Sequence, residues 1–210
     1  GFQAKDGSLR ANSTGVVSVD GTGSSWNTAS YLHVGKSGRG TLAIANGGSI
    51  HSTVSYLGGS SGSTGTATVG GVGSTWISTN ALWIGRYGDG ALTVVDGGAV
   101  SSASGSIGSY TGSTGTVTVD GISSSWTNSG DLYVGQHGNA ALNIFGGGSV
   151  LVGGTTYVGY GTESTGRIDF GANGGTLTTR SLHAPLTELD GTGTINTCGL
   201  IADIDLVFDS

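Results

Sequence analysis

The chain has few of the residues that usually decide what a small domain is. Among 210 residues there are one cysteine, one proline and no methionine, and only 10% are charged. The single cysteine, Cys198, excludes an intrachain disulfide, so packing and backbone hydrogen bonds must hold the fold. Seven Lys and Arg against thirteen Asp and Glu leave a net charge of -6. No basic stripe exists to neutralise a phosphate backbone, which argues against nucleic acid as a partner. No run approaches the roughly 18 consecutive apolar residues of a membrane-spanning helix, and no signal-peptide pattern opens the chain.

Glycine is plentiful, with 44 copies, but it lacks the period of three that a collagen helix requires. Short β-branched clusters interrupt the Gly/Ser/Thr background at regular intervals: VVSV, TLAI, TATV, ALTV, TVTV and ALNI. Such spacing predicts folded strands joined by tight turns, where an unstructured linker would show none. Trp26, Trp76 and Trp126 are 50 residues apart, as are Gly35, Gly85 and Gly135. A half-period relates Gly15, Gly40, Gly65, Gly90 and Gly115, each of which opens a strand-like run. Two kinds of coil therefore alternate.

A coil of about 25 residues cannot bury a core alone, but stacking at about 4.8 Å pairs its strands in parallel and closes an apolar interior. The expected fold is all-β, a right-handed parallel β-helix of about eight coils arranged in 50-residue double-coil repeats. Residues 1–14 read as a lead-in, 15–64, 65–114 and 115–165 as regular repeats, and 166–210 as an irregular continuation within the same domain. One residue is inserted ahead of Ser164-Thr165-Gly166. The final run, with Ile204, Leu206 and Phe208 on one face, ends without a cap, which predicts a piece of a longer protein.

Period-two alternation sends Leu32, Val34, Leu82, Ile84, Leu132 and Val134 inward and His33, Trp83 and Tyr133 outward. With Lys36, Arg39, Arg86 and His137 nearby, this outward column is the candidate protein- or glycan-binding face, since aromatics interleaved with cations suit recognition. The recurring Trp26, Trp76 and Trp126 are assigned to packing at a coil corner, with each N–H free to reach a turn carbonyl. Gly35, Gly85 and Gly135 are assigned to turns.

Catalysis has a weaker basis. Asp20 and Asp120 lie in V-D-G turns, where Asp is an ordinary turn former. Asp203 and Asp205 share a strand face, and paired carboxylates can do acid/base work, but no basic cluster accompanies them. His33, His51, His137 and His183 lack metal-ligand spacing, the N-G-G and D-G-G turns are not the calcium-binding repeat, and no phosphate loop or other cofactor motif is present. The Asn12-Ser13-Thr14 sequon matters only if the source glycosylates secreted proteins.

The segments S-T-G-T-V-T-V-D-G-I-S-S-S-W at 113–126, L-Y-V-G at 132–135 and G-G-G-S-V at 146–150 resemble the repeats of bacterial autotransporter passenger domains, in particular α-proteobacterial Gly/Ser-rich ones. The Bartonella angiogenic factors are one similar group. The resemblance implies export through an outer-membrane β-barrel translocator, a secreted or cell-surface location, and a non-enzymatic adhesin or receptor-ligand role toward a host cell-surface protein or glycan. A monomer without cofactors is expected. A structural stalk and a carbohydrate-active β-helix enzyme are the alternatives.

Overall fold

The computed structural model describes residues 13–201. They form a parallel β-solenoid of about seven turns, about 25 residues apart. The last coil described contributes the two-residue strand Leu189–Asp190 to one side and Thr194–Ile201 to the other. The Asn12 sequon position, the alternating Ile204, Leu206 and Phe208, and the paired Asp203 and Asp205 lie outside the described residues.

One wall is an eight-stranded sheet built in chain order from Thr14–Asp20, Arg39–Ala45, Thr64–Gly70, Asp89–Val95, Thr114–Asp120, Asn139–Phe145, Thr165–Asp169 and Leu189–Asp190. Its register places Gly15, Gly40, Gly65, Gly90, Gly115, Ala140 and Gly166 one above another. Strict alternation decides which side chains enter the core. In Thr114–Asp120, Gly115, Val117 and Val119 are buried, while Thr114, Thr116 and Thr118 face outward. The sheet passes from 115–165 into 166–210 without a break.

The other wall is an eleven-stranded sheet, and its innermost column reads Trp26, Ile50, Trp76, Val100, Trp126, Val150, Leu177, Ile195. The tryptophans thus sit on strands aimed into the core, in place of the expected coil corners. Trp76 and Trp126 are 0% exposed, and Trp26 packs partly buried against the same cluster. Ile50 and Val100 separate successive indoles, so wide and narrow side chains alternate through the layer. The indole N–H groups do not reach turn carbonyls: Trp126 Nε1 donates to Ser102 Oγ at 3.2 Å, and Trp76 Nε1 is buried without a partner.

The serine of the G-x-x-S-x-W motif explains how coils are tied together. Ser74 Oγ donates to the Gly70 carbonyl at 2.8 Å and accepts the Gly47 N–H of the preceding coil at 3.1 Å. Ser124 Oγ accepts Gly97 N–H in the same way at 3.1 Å. In the S-T-G motif, Ser63 Oγ closes its own turn by donating to the Ser60 carbonyl at 2.6 Å.

The two coil types keep a common length by shifting residues between the eleven-stranded wall and its flanking corners. In the eleven-stranded sheet Val34 pairs with Leu57, Leu57 with Ile84 and Ile84 with Ile107, offsets of 23, 27 and 23, whereas Gly15, Gly40 and Gly65 are offset by 25. Alternate coils are one residue shorter at the corner before this wall, one shorter along it, and two longer at the corner that follows. The extra residue expected near Ser164 lies upstream of it, in the strand Ser149–Val158. There the core positions Val152 and Thr156 are four apart, where Ser102 and Gly105 are three apart.

Gly35, Gly85 and Gly135 turn the chain at that corner with φ of +69°, +70° and +77°, and a Cβ on any of them would collide with the carbonyl of Thr64, Thr114 or Thr165 on the next coil. Left-handed strain and overpacking together should make Gly85→Ala cost about 3 kcal/mol. Gly62→Ala, with φ +73° but open space around it, should cost only about 1 kcal/mol. Thermal unfolding of the two variants checks this ordering. A second comparison concerns the core: Trp126→Phe breaks a buried hydrogen bond and Trp76→Phe removes an unpaired donor, so Trp76→Phe should be the milder change by about 1 kcal/mol.

Candidate binding face

Lining up the outward residues of the eleven-stranded sheet gives His33, Tyr56, Trp83, Ser106, Tyr133, Tyr157 and His183 in one register line. At about 4.8 Å per coil, the line runs roughly 29 Å along the solenoid axis. His33 stacks on Tyr56 with centroids 4.7 Å apart, and Tyr56 on Trp83 at 6.5 Å. Tyr133 stacks on Tyr157 at 4.9 Å, and His183 leans against Tyr157 at 5.0 Å. Parallel pairing forces this arrangement, because side chains in one column must lie over one another.

Ser106 interrupts the rings and is itself buried. Its hydroxyl donates to Gln136 Oε1 at 3.0 Å and shares a hydrogen bond with Ser109 Oγ at 2.8 Å. The lengthened corner after it carries Tyr110, which stacks on Trp83 at 6.4 Å and on Tyr87 at 4.2 Å. At the next such corner Tyr160 crosses the Tyr133–Tyr157 pair nearly perpendicularly, at 5.3 and 5.4 Å. An apolar depression of about 380 Å³ borders Tyr157, Tyr160, His183 and Pro185.

Of the residues expected to form the face, His33, Trp83 and Tyr133 fall in this line. Lys36 and Arg86 occupy the corner beside it, and Arg86 lies over Tyr56, Tyr87 and Trp83 at 4.7, 5.1 and 5.8 Å. His137 is exposed on the same edge, 6.3 Å from the Tyr160 ring. Arg39 belongs elsewhere: it opens the strand Arg39–Ala45 of the eight-stranded sheet, around the corner from the rings.

No family model, curated protein or solved structure matches the chain. The face is therefore read from its own geometry. Tyr56, Tyr110, Tyr157, Tyr160 and His183 extend it well beyond the residues picked from the 50-residue repeat. Tyr56 and Tyr157 have a signal in the sequence, the position just ahead of an L-G or V-G step, at offsets that a fixed period of 25 misses, whereas Tyr110 and Tyr160 follow such a step and His183 precedes Ala184-Pro185. On the opposite wall Arg167 bridges Asp169 at 3.3 Å and Asp190 at 2.7 Å. Among the described residues, no group of three or more His, Cys, Asp and Glu is placed to hold a metal ion.

The rings also perturb each other's ionisation. Tyr133 is held above the ordinary phenol value of 10.0, first by burial and then by the charges of Asp131, Tyr157 and Tyr160. Tyr87 is raised chiefly by its hydrogen bond with Tyr110. A phenol whose folded pKa is raised contributes stability that is present below the unfolded value and lost as pH rises through the folded value. Wild type should thus lose stability above pH 10 faster than Tyr133→Phe, which unfolding midpoints measured across alkaline pH will report.

Proposed function

We propose that this protein is a non-enzymatic binding module, exported to the cell surface or beyond as an autotransporter-like passenger, that engages a molecule on host cells. The line of aromatic residues along one outer face of the solenoid, broken only at Ser106, carries this reading. Seven coils hold it rigid, so its rings are preorganised and lose little conformational entropy on binding. Tyr, Trp and Arg are also the residues that dominate binding energy where surfaces meet. A solenoid used only as a stalk has no need for this line on one face. Outward positions of the other wall hold small residues such as Thr66, Thr68, Ala91, Thr93, Thr116 and Thr118.

Labelled protein should bind intact mammalian cells saturably and be displaced by unlabelled protein. The double variant Trp83→Ala/Tyr133→Ala should weaken that binding by about 30-fold or more while keeping the fold, as expected for two hot-spot rings. Undiminished binding by the variant would refute the assignment of the face, and absence of binding by wild type would refute the function.

A further inference from the structure

Arg86 differs from the other paired cations of the described chain. Where Arg167 meets two carboxylates, Arg86 meets three rings and no carboxylate, and its Nε is buried without a hydrogen-bond partner. Asp89, close by in sequence, opens a strand of the other wall and makes no ion pair with it. A guanidinium resting on aromatic faces is partly desolvated, and its planar fork suits bidentate capture of a carboxylate or sulfate. Lys36 stands on the same corner two coils away, about 10 Å along the axis. The cations of the face thus gather at its N-terminal half, on a chain whose net charge is -6.

We infer that this half of the face, centred on Arg86 with Tyr56, Trp83, Tyr87, Tyr110 and Lys36, binds an acidic glycan, a linear chain bearing uronate or sulfate groups. The inference rests on the binding role proposed above and specifies its ligand. The shape of the site favours a glycan over a peptide or a protein surface. The site is narrow, the ring column plus the corner residues beside it, and it runs several coils along the axis, which fits a linear polymer better than the broad patch of a standard protein interface. An extended peptide draws its affinity from main-chain hydrogen bonds at an open sheet edge, but this is a sheet face whose backbone groups are already paired between coils. Stacking occupies the faces of the inner rings, so these tyrosines present their edges and hydroxyls, which can hydrogen-bond to sugar hydroxyls. Tyr87, 41% exposed, offers ring surface beside the guanidinium.

The test is calorimetric titration of the purified protein with a heparin octasaccharide, a hyaluronan octasaccharide and a neutral cello-oligosaccharide. At least one acidic probe should bind and the neutral one should not. Arg86→Gln should weaken the acidic probe about tenfold or more, the effect of losing a charge-assisted fork, and Arg86→Lys should fall between it and wild type. Arg180→Gln, an exposed cation on the strand Thr176–His183 that carries the last ring of the line, should change little. Circular dichroism and thermal melts of each variant confirm that the solenoid is intact.

The inference is overturned if neither acidic probe binds, if the neutral probe binds as well, or if Arg180→Gln and Arg86→Gln are equally weakened, which is nonspecific charge attraction. Cell binding that survives both Arg86→Gln and enzymatic removal of acidic glycans would identify a protein ligand and overturn this inference alone. Absence of any cell binding would instead remove the functional reading on which it rests.

Discussion

Every feature of this molecule depends on one constraint: no coil can bury its own interior, so each must hydrogen-bond to the next in register. Paired strands bring like positions together, and a side chain that succeeds in one coil is repeated in the coil above it. Inside, this yields the alternating indole and aliphatic column from Trp26 to Ile195. Outside, it turns single aromatic residues, harmless on an ordinary sheet, into two stacks on either side of Ser106. The same backbone ladder therefore builds both the core and the face.

The glycines and serines follow from the sharpness of the corners that this stacking requires. Gly85 lies so close to the Thr114 carbonyl that no Cβ fits, and Ser74 accepts the half-buried Gly47 amide of the neighbouring coil. A composition rich in Gly, Ser and Thr looks like that of a flexible linker, but here it reflects close approach between coils. Stability is distributed along the stack, with each turn supported chiefly by its neighbours.

The solenoid could be read from the sequence because its strands, glycines and tryptophans recur at fixed intervals, and intervals are what a sequence displays. The aromatic face could be read only in part. His33, Trp83 and Tyr133 share the phase of the tryptophan-bearing coils, but Tyr56 and Tyr157 belong to the intervening coils and are offset from the residues below them by 23 and 24. Counting by 25 therefore misses them. Arg39 is near His33 in sequence, but the corner at Gly35–Gly38 carries it to the other wall. Side-chain orientation misled in the case of the tryptophans too: their phase after a turn suggested a corner, while strand alternation directs them inward.

The central claim is that the aromatic wall, and not the threonine-rich wall, meets the ligand. It is tested most directly by masking each wall separately. In a Cys198→Ser background, a polyethylene glycol chain is attached through Tyr157→Cys on one wall or Thr93→Cys on the other, and saturable binding to mammalian cells is measured for both conjugates. The account predicts that the Tyr157 conjugate loses binding and the Thr93 conjugate keeps it. Full binding by the Tyr157 conjugate, or loss confined to the Thr93 conjugate, would contradict it.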